Sequence, residues 1–288
     1  MTNRNSAVAI IGGIVVRALE LCSLRGAPTL FTILAKVPTF GRMQAIVRLG
    51  NGVITFPAFD GYWCRYLWAG AAFEQDVAQT FAKLGKDAVL IDCGANIGYW
   101  SVRAAEFGFR EVVAVEANAS LIPMLRKNFE LNAIPGEVLH AAIYSKAGEH
   151  LFLDRTAAHV QGSLGKKGMP VISTTITEIV ASRAVNRQFV AKLDVEGAEV
   201  AAIDGASGVD RITFVYEDFP RHGMRVTEEL LRRGYAVFGV APSGECRRIG
   251  SVEEAIRFNA DFTIPRIPSN LVACRPDRAD WLERKLRA

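Results

Sequence analysis

From residue 88 onward, short runs of apolar residues alternate with stretches of helical periodicity. The runs at 88–91, 111–115, 137–143, 189–193, 212–216 and 236–240 are apolar nearly throughout, as strands buried on both faces are. Between them, 99–107, 120–131, 176–184 and 228–233 carry apolar residues at the spacing of one helical face. Strand and helix in alternation predict an α/β fold, a mostly parallel sheet with helices on both sides. A seventh strand near 271–274 should pair with 236–240 as a closing hairpin. Ligands of such sheets bind beyond the carboxyl ends of the strands. Four of those ends carry acids: Asp92, Glu116, Asp194 and Glu217.

Residues 1–85 follow another pattern. An apolar run at 7–16 is closed by Arg17 and Glu20, whereas a membrane-spanning helix needs about 20 apolar residues. A packed or surface-lying amphipathic helix is expected there. A secretion signal is disfavoured, because only Arg4 precedes the run and Arg25-Gly26-Ala27-Pro28 makes a poor cleavage site. Pro28 and Pro38 act as breakers. A hairpin is predicted from 45–49 and 53–56, turned by Gly50-Asn51-Gly52, where Asn-Gly adopts positive φ cheaply. Tyr62, Trp63, Tyr66, Trp68 and Phe73 then form an aromatic-rich segment, suited both to packing and to a pocket wall. At the far end, the basic stretch 275–287 sets Trp281, Leu282 and Leu286 on one helical face, which predicts a docking helix. The chain thus divides into an N-terminal helical and hairpin cap (1–85), a main domain (86–275) and a C-terminal helix (276–288).

Composition narrows the function classes. Half the residues are hydrophobic and 22% are charged, which describes an ordered globular protein. The formal charge of +4 is slight, and pairs such as Lys166-Lys167 and Arg247-Arg248 read as loop charges. Nucleic acid is therefore not an expected partner. Five scattered cysteines (Cys22, Cys64, Cys93, Cys246 and Cys274) without C-x-x-C argue against a disulfide framework and against zinc. His140, His150, His159 and His222 lack the spacing of metal ligands, so no metal is expected. Free thiols suit a cytoplasmic setting, with peripheral membrane contact left open.

The most informative stretch runs from Val89 to Ser101: a buried strand, a glycine-bearing turn, then a helix. A dinucleotide fingerprint would read G-x-G-x-x-G and deliver a pyrophosphate to the helix N-terminus. Here the pattern is Asp92-Cys93-Gly94-Ala95-Asn96-Ile97-Gly98, with a carboxylate ahead of the first glycine. A carboxylate repels a pyrophosphate but suits a cofactor bearing ammonium and sulfonium charges, as S-adenosylmethionine (SAM) does. Glu116 ends the next strand, 24 residues further on, where a carboxylate can accept both hydroxyls of a ribose. Asp92, Gly94, Ala95, Asn96, Gly98, Glu116, Asn118 and Ala142 are the expected cofactor contacts.

A second motif, Lys192-Leu193-Asp194-Val195-Glu196-Gly197-Ala198-Glu199, puts three carboxylates at a strand-to-helix junction. Helix capping explains one acid there, and three exceed that need. The sequence D/N-P-P-Y/F, associated with methylation of nucleobase amino groups, does not occur at this junction. Together with Val115-Glu116-Ala117-Asn118, Gly205, Glu217, and the lead-in Gly70 and Phe73-Glu74, these residues resemble the FkbM-type methyltransferase family across about 60–218. The resemblance implies a Rossmann-like class I SAM-dependent methyltransferase fold. It also implies O-methyl transfer to a small-molecule, sugar or glycolipid hydroxyl. Such a hydroxyl is barely acidic, so a base should take its proton as attack proceeds. Asp194 is the first candidate, then Glu196 and Glu199, with His222 after the fifth strand as another. Two rival readings stand beside it. One is a non-catalytic SAM-binding regulatory subunit; the other is a nucleotide-dependent oxidoreductase or epimerase, for which neither a phosphate loop nor a Tyr-x-x-x-Lys pair is found.

Overall fold

The structure is a computed structural model. It describes residues 43–68, 72–155, 162–165, 168–183, 186–262 and 269–288, and 36, 41 and 70 besides. The apolar run at 7–16, Pro28 and Pro38, Cys22, His159 and the Lys166-Lys167 pair lie outside the described residues.

Five strands form the parallel heart of the main sheet: β3 (Val89–Cys93), β4 (Glu111–Glu116), β5 (Gly136–His140), β10 (Phe189–Leu193) and β11 (Ile212–Asp218). Beyond β11 come β14 (Ser269–Cys274), β12 (Ala236–Val240) and β13 (Cys246–Ile249), each antiparallel to its neighbour. The order is β13-β12-β14-β11-β10-β3-β4-β5, eight strands rather than the expected seven. The additional strand, β13, holds the pair Arg247-Arg248. Only Cys246 and Ile249 at its ends are buried, so its sequence lacks the apolar run of the other strands. Exposed charge on an outermost strand discourages pairing with another chain. The expected hairpin partner of 236–240 is present as β14.

Strands β3 and β10 are buried along their whole length, and alternate residues feed two separate cores. Val89, Ile91, Ala191 and Leu193 face one core, lined by α6 (Glu199–Asp204) and α7 (Arg225–Arg232). Leu90 and Val190 face the other, built by α2 (Gln75–Leu84), α3 (Tyr99–Arg103), α4 (Ile122–Leu131) and α9 (Ala279–Arg287). Helix α9 docks as expected, with Leu282 and Leu286 fully buried. Helix α8 (Val252–Phe262) follows β13, and α5 (Ile176–Ala181) starts at Thr175, whose hydroxyl accepts from the Glu178 amide.

The hairpin of β1 (Gln44–Leu49) and β2 (Gly52–Pro57) is stitched to α4. Asn132 bonds both the N–H and the C=O of Val53, and Asn128 does the same for Thr55. Four residues of helix rise about 6 Å and two residues of strand about 6.7 Å, so the two amides meet alternate strand residues in step. A short helix α1 (Trp63–Leu67) follows. A second sheet, β6 (Ala142–Ile143), β9 (Met169–Thr174), β7 (His150–Arg155) and β8 (Gly162–Gly165), emerges after β5. Among the described residues, no helix is long and apolar enough to cross a membrane.

Candidate active site

The carboxyl ends of β3, β4 and β10 open into a cleft lined by Asp92, Glu116, Lys192 and Asp194. The turn after β3 builds its floor. Gly94 has φ +79°, and a Cβ there would lie 1.9 Å from the Asp194 carbonyl oxygen. Glycine is thus required for the ends of β3 and β10 to pack together. Gly98, at φ +88°, faces Leu125 of α4 rather than the cleft.

Glu116 is 8% exposed, and both its oxygens are engaged by backbone amides. Oε2 accepts from Asn96 N at 2.8 Å and Oε1 from Asn118 N at 2.7 Å. Asn96 sits in the left-handed region at φ +54°, which turns its N–H toward the carboxylate. Its Oδ1 in turn accepts from Ile97 N and from the indole of Trp63. The Asn118 amide oxygen accepts from Ser120 twice. Burial pushes Glu116 up to about 7 against the pull of those two amides. Beside it, Leu121, Ala142, Ile143 and Leu153 form an apolar slot.

The other half of the cleft is ionic and aromatic. Asp92 is buried and accepts from Ser101 Oγ at 2.6 Å; burial raises its pKa, opposed by Lys192. Lys192, 3% exposed, donates to Asp194 Oδ2 at 2.9 Å and stands 3.6 Å from Glu74 Oε2. Trp100 donates its indole N–H to that same Glu74 oxygen at 2.6 Å. Burial lifts Glu74 to about 7, with Lys192 opposing. Glu196, at φ +50° on the cleft wall, is raised to about 7 by burial and then by Asp194. Glu217 at the end of β11 is driven to about 9 by burial, Asp194 and Glu74. Tyr62, Trp63, Phe73 and Tyr99 close this side with ring centroids 4.6–6.2 Å apart.

Ten of the twelve residues singled out in the sequence can be placed against this geometry in two groups. Asp92, Gly94, Ala95, Asn96, Glu116, Asn118, Ala142, Asp194 and Glu196 border the cleft, and Gly98 supports it from behind. The remaining two stand apart. Glu199 is turned back so that both its oxygens accept from Gly197 N, at 3.1 Å each. His222 lies exposed in a turn of 3-10 helix, its ring 5.3 Å from that of Phe219. Sequence reasoning gave no site role to Lys192, a lone cation inside a buried strand, which was the available signal. Glu74 and the ring of Tyr99 were likewise unassigned.

Among solved structures, the chain is similar to precorrin-6y C5,15-methyltransferase of Geobacter metallireducens GS-15, at 13% identity and TM-score 0.40 over 69% of this chain and 86% of that one. It is also similar to TYW2 of M. jannaschii in complex with AdoMet, at 12% identity and TM-score 0.42 over 80% and 84%. A third is the tRNA (uracil-54, C5)-methyltransferase of Pyrococcus abyssi in complex with S-adenosyl-L-homocysteine, at 14% and 0.36 over 80% and 43%. No curated protein matches the sequence. The methyltransferase FkbM domain matches residues 92–237, just over half the chain and the whole span from Asp92 to β12. The chain belongs to the FkbM methyltransferase family.

Proposed function

We propose that the protein transfers a methyl group from SAM to a hydroxyl of a small-molecule, sugar or glycolipid acceptor. The observation that carries this reading is Glu116, a buried carboxylate aimed by two backbone amides at the end of the second strand. A ribose diol fits such an acceptor, and the neighbouring slot of Leu121, Ala142, Ile143 and Leu153 suits an adenine. Asp92 gives the far half the negative charge that a sulfonium and an ammonium require. When bound, SAM supplies an electrophilic methyl group for in-line displacement by an oxygen nucleophile.

On this reading, the chain's own residues do the rest. The aromatic wall excludes water and presents flat apolar faces to a ring-shaped acceptor. Asp194 takes the hydroxyl proton as the oxygen attacks, while Glu196 orients a neighbouring hydroxyl. Glu199 shapes the loop that carries Glu196, and His222 serves the acceptor only if the rim closes over it. The free, buried Cys64, Cys93, Cys246 and Cys274 fit a cytoplasmic enzyme.

Incubation with methyl-labelled SAM and fractionated cell extract tests the proposal. Label should enter an alkali-stable ether in the glycolipid, saccharide or small-molecule fraction. Asp194→Asn should bind SAM as the wild type does and lose roughly 10²–10⁴-fold in rate. Absence of SAM binding in calorimetry, or label found only in amines, would overturn it.

A further inference from the structure

Strand β10 offers an anomaly. Its five residues are all buried and the other four are apolar, yet its fourth residue is a lysine. Lys192 lies on the face shared with Val190 and Leu90, in register with Asp92 of β3. Apolar residues in place of the lysine and its carboxylate partners together would serve stability at least as well, because removing an ammonium from water is costly even when it is paired. Burial works against its charge, and Asp194, Glu74 and Asp92 outweigh that effect.

What the lysine gains is position. Its ammonium donates to Asp194 Oδ2 at 2.9 Å, fixing that side chain at the mouth of the strand. On the other side it reaches Glu74, whose backbone is held in the left-handed region at φ +39°. Such a conformation is unfavourable for a non-glycine residue and persists only where its surroundings enforce it. Here they are Lys192 and the Trp100 indole, both on Glu74 Oε2. Glu74 immediately follows Phe73, whose ring packs on Tyr99 and Trp63 in the aromatic wall.

We propose that Lys192 is a positioning residue that aims Asp194 at the acceptor and ties the Glu74 turn, and with it the aromatic wall, to β10. The inference rests on the reading of the cleft as a SAM-dependent O-methylation site. It assigns Lys192 to the acceptor half and gives it no attractive contact with a cationic cofactor.

Three proteins test it: the wild type, Lys192→Met, and Lys192→Met combined with Glu74→Gln. The single variant should lose thermal stability, because Asp194 and Glu74 then face each other without the ammonium. Its affinity for SAM, measured by calorimetry, should hold or rise relative to the product S-adenosylhomocysteine, which lacks the sulfonium charge, since a positive charge has left the cleft. Its transfer rate at saturating SAM should fall by about 10²-fold, the loss expected when a reacting group is misplaced by an ångström. The double variant removes the orphaned carboxylate, so it should regain most of the melting temperature and little of the rate. Recovery of the rate together with the melting temperature would reduce Lys192 to a structural ion-pair partner and overturn the proposal. So would a SAM affinity that falls in step with the rate. A wild type that binds no SAM would overturn the reading of the cleft itself, and Lys192's role with it.

Discussion

The two halves of the cleft are built by different means. Around Glu116 the partners are backbone amides, supplied by Asn96 and Asn118 in turns that follow directly from β3 and β4. Around Lys192 the partners are side chains, drawn from the Glu74 turn, α3, the end of β10 and the end of β11. A backbone amide survives most substitutions at its own position, so the first half is robust to sequence change. The second depends on the identity of each participating residue. That contrast suits a site whose cofactor is invariant and whose acceptor differs from one enzyme to another.

The comparison breaks most directly at Glu116. Glu116→Ala removes the carboxylate proposed to accept the ribose hydroxyls, and a hydrogen bond to a charged group contributes about 1.5–3 kcal/mol. SAM affinity should therefore fall by roughly 10–150-fold, with little change in rate once the cofactor is saturating. Calorimetry and single-turnover measurements at high SAM separate the two. An unchanged affinity would show that the amides hold Glu116 for the fold alone.

A smaller effect should follow from loosening what lies beneath the cofactor half. Asn128 is fully buried, accepts from Thr55 N and donates to Thr55 O and Ile97 O, so one side chain joins the hairpin, α4 and the turn after Gly94. Asn128→Ala strands these groups at about 1–3 kcal/mol for each one left unsatisfied. A domain of this size should lose about 2–4 °C in melting temperature per kcal/mol. SAM should restore part of the loss by binding only the folded state. If calorimetry shows full stability, water has replaced the amide and the hairpin is not a support.

The same contrast explains what could be read from sequence. The cofactor half occupies one stretch, 92–118, in which strand, glycine turn, helix and strand-end acid stand at recognisable spacing. Gly94 was legible as a turn glycine, as its φ of +79° bears out, and the fold adds a second reason, the close approach of the Asp194 carbonyl. The acceptor half was legible only in pieces. Asp194 and Glu196 stand out as acids at a strand end, whereas Lys192 two residues earlier reads as one polar residue within a strand. Only the register of β3 against β10, and the return of the Glu74 turn, show what it meets. Of the second sheet only β6 was legible, at the end of the run 137–143; β7 and β9 mix apolar with polar residues and β9 holds Pro170, yet Leu153 of β7 reaches the cleft. The eighth strand escaped notice for a related reason: two arginines in four residues obscure an edge strand.

The smallest expected effect, and the finest test of the contrast, concerns Glu217. Glu116 and Glu217 are both strand-end carboxyls raised by burial, but Glu116 has two amides to favour its charged form. Glu217 is surrounded instead by Asp194, Glu74 and Glu196, with Lys192 opposing them, and reaches about 9 from an ordinary 4.5. A carboxyl whose folded pKa is raised favours the protonated form in the folded state. Its contribution to stability is complete below pH 4.5 and is lost as pH rises toward 9. Glu217→Gln cannot ionise, so it escapes that loss. Wild type and variant should melt together near pH 5. Near pH 9 the variant should melt higher by about 2–4 °C, the shift that ~1 kcal/mol produces in a chain of this length. Glu116→Gln should gain less between the two pH values, because Glu116 is raised only to about 7, and it should lose at both the acceptor of one of the Asn96 and Asn118 amides. Scanning calorimetry of the three proteins at both pH values decides the matter. A Glu217→Gln gain that is equal at pH 5 and pH 9 would mean that packing, rather than the crowd of carboxylates, sets the behaviour of this half of the cleft.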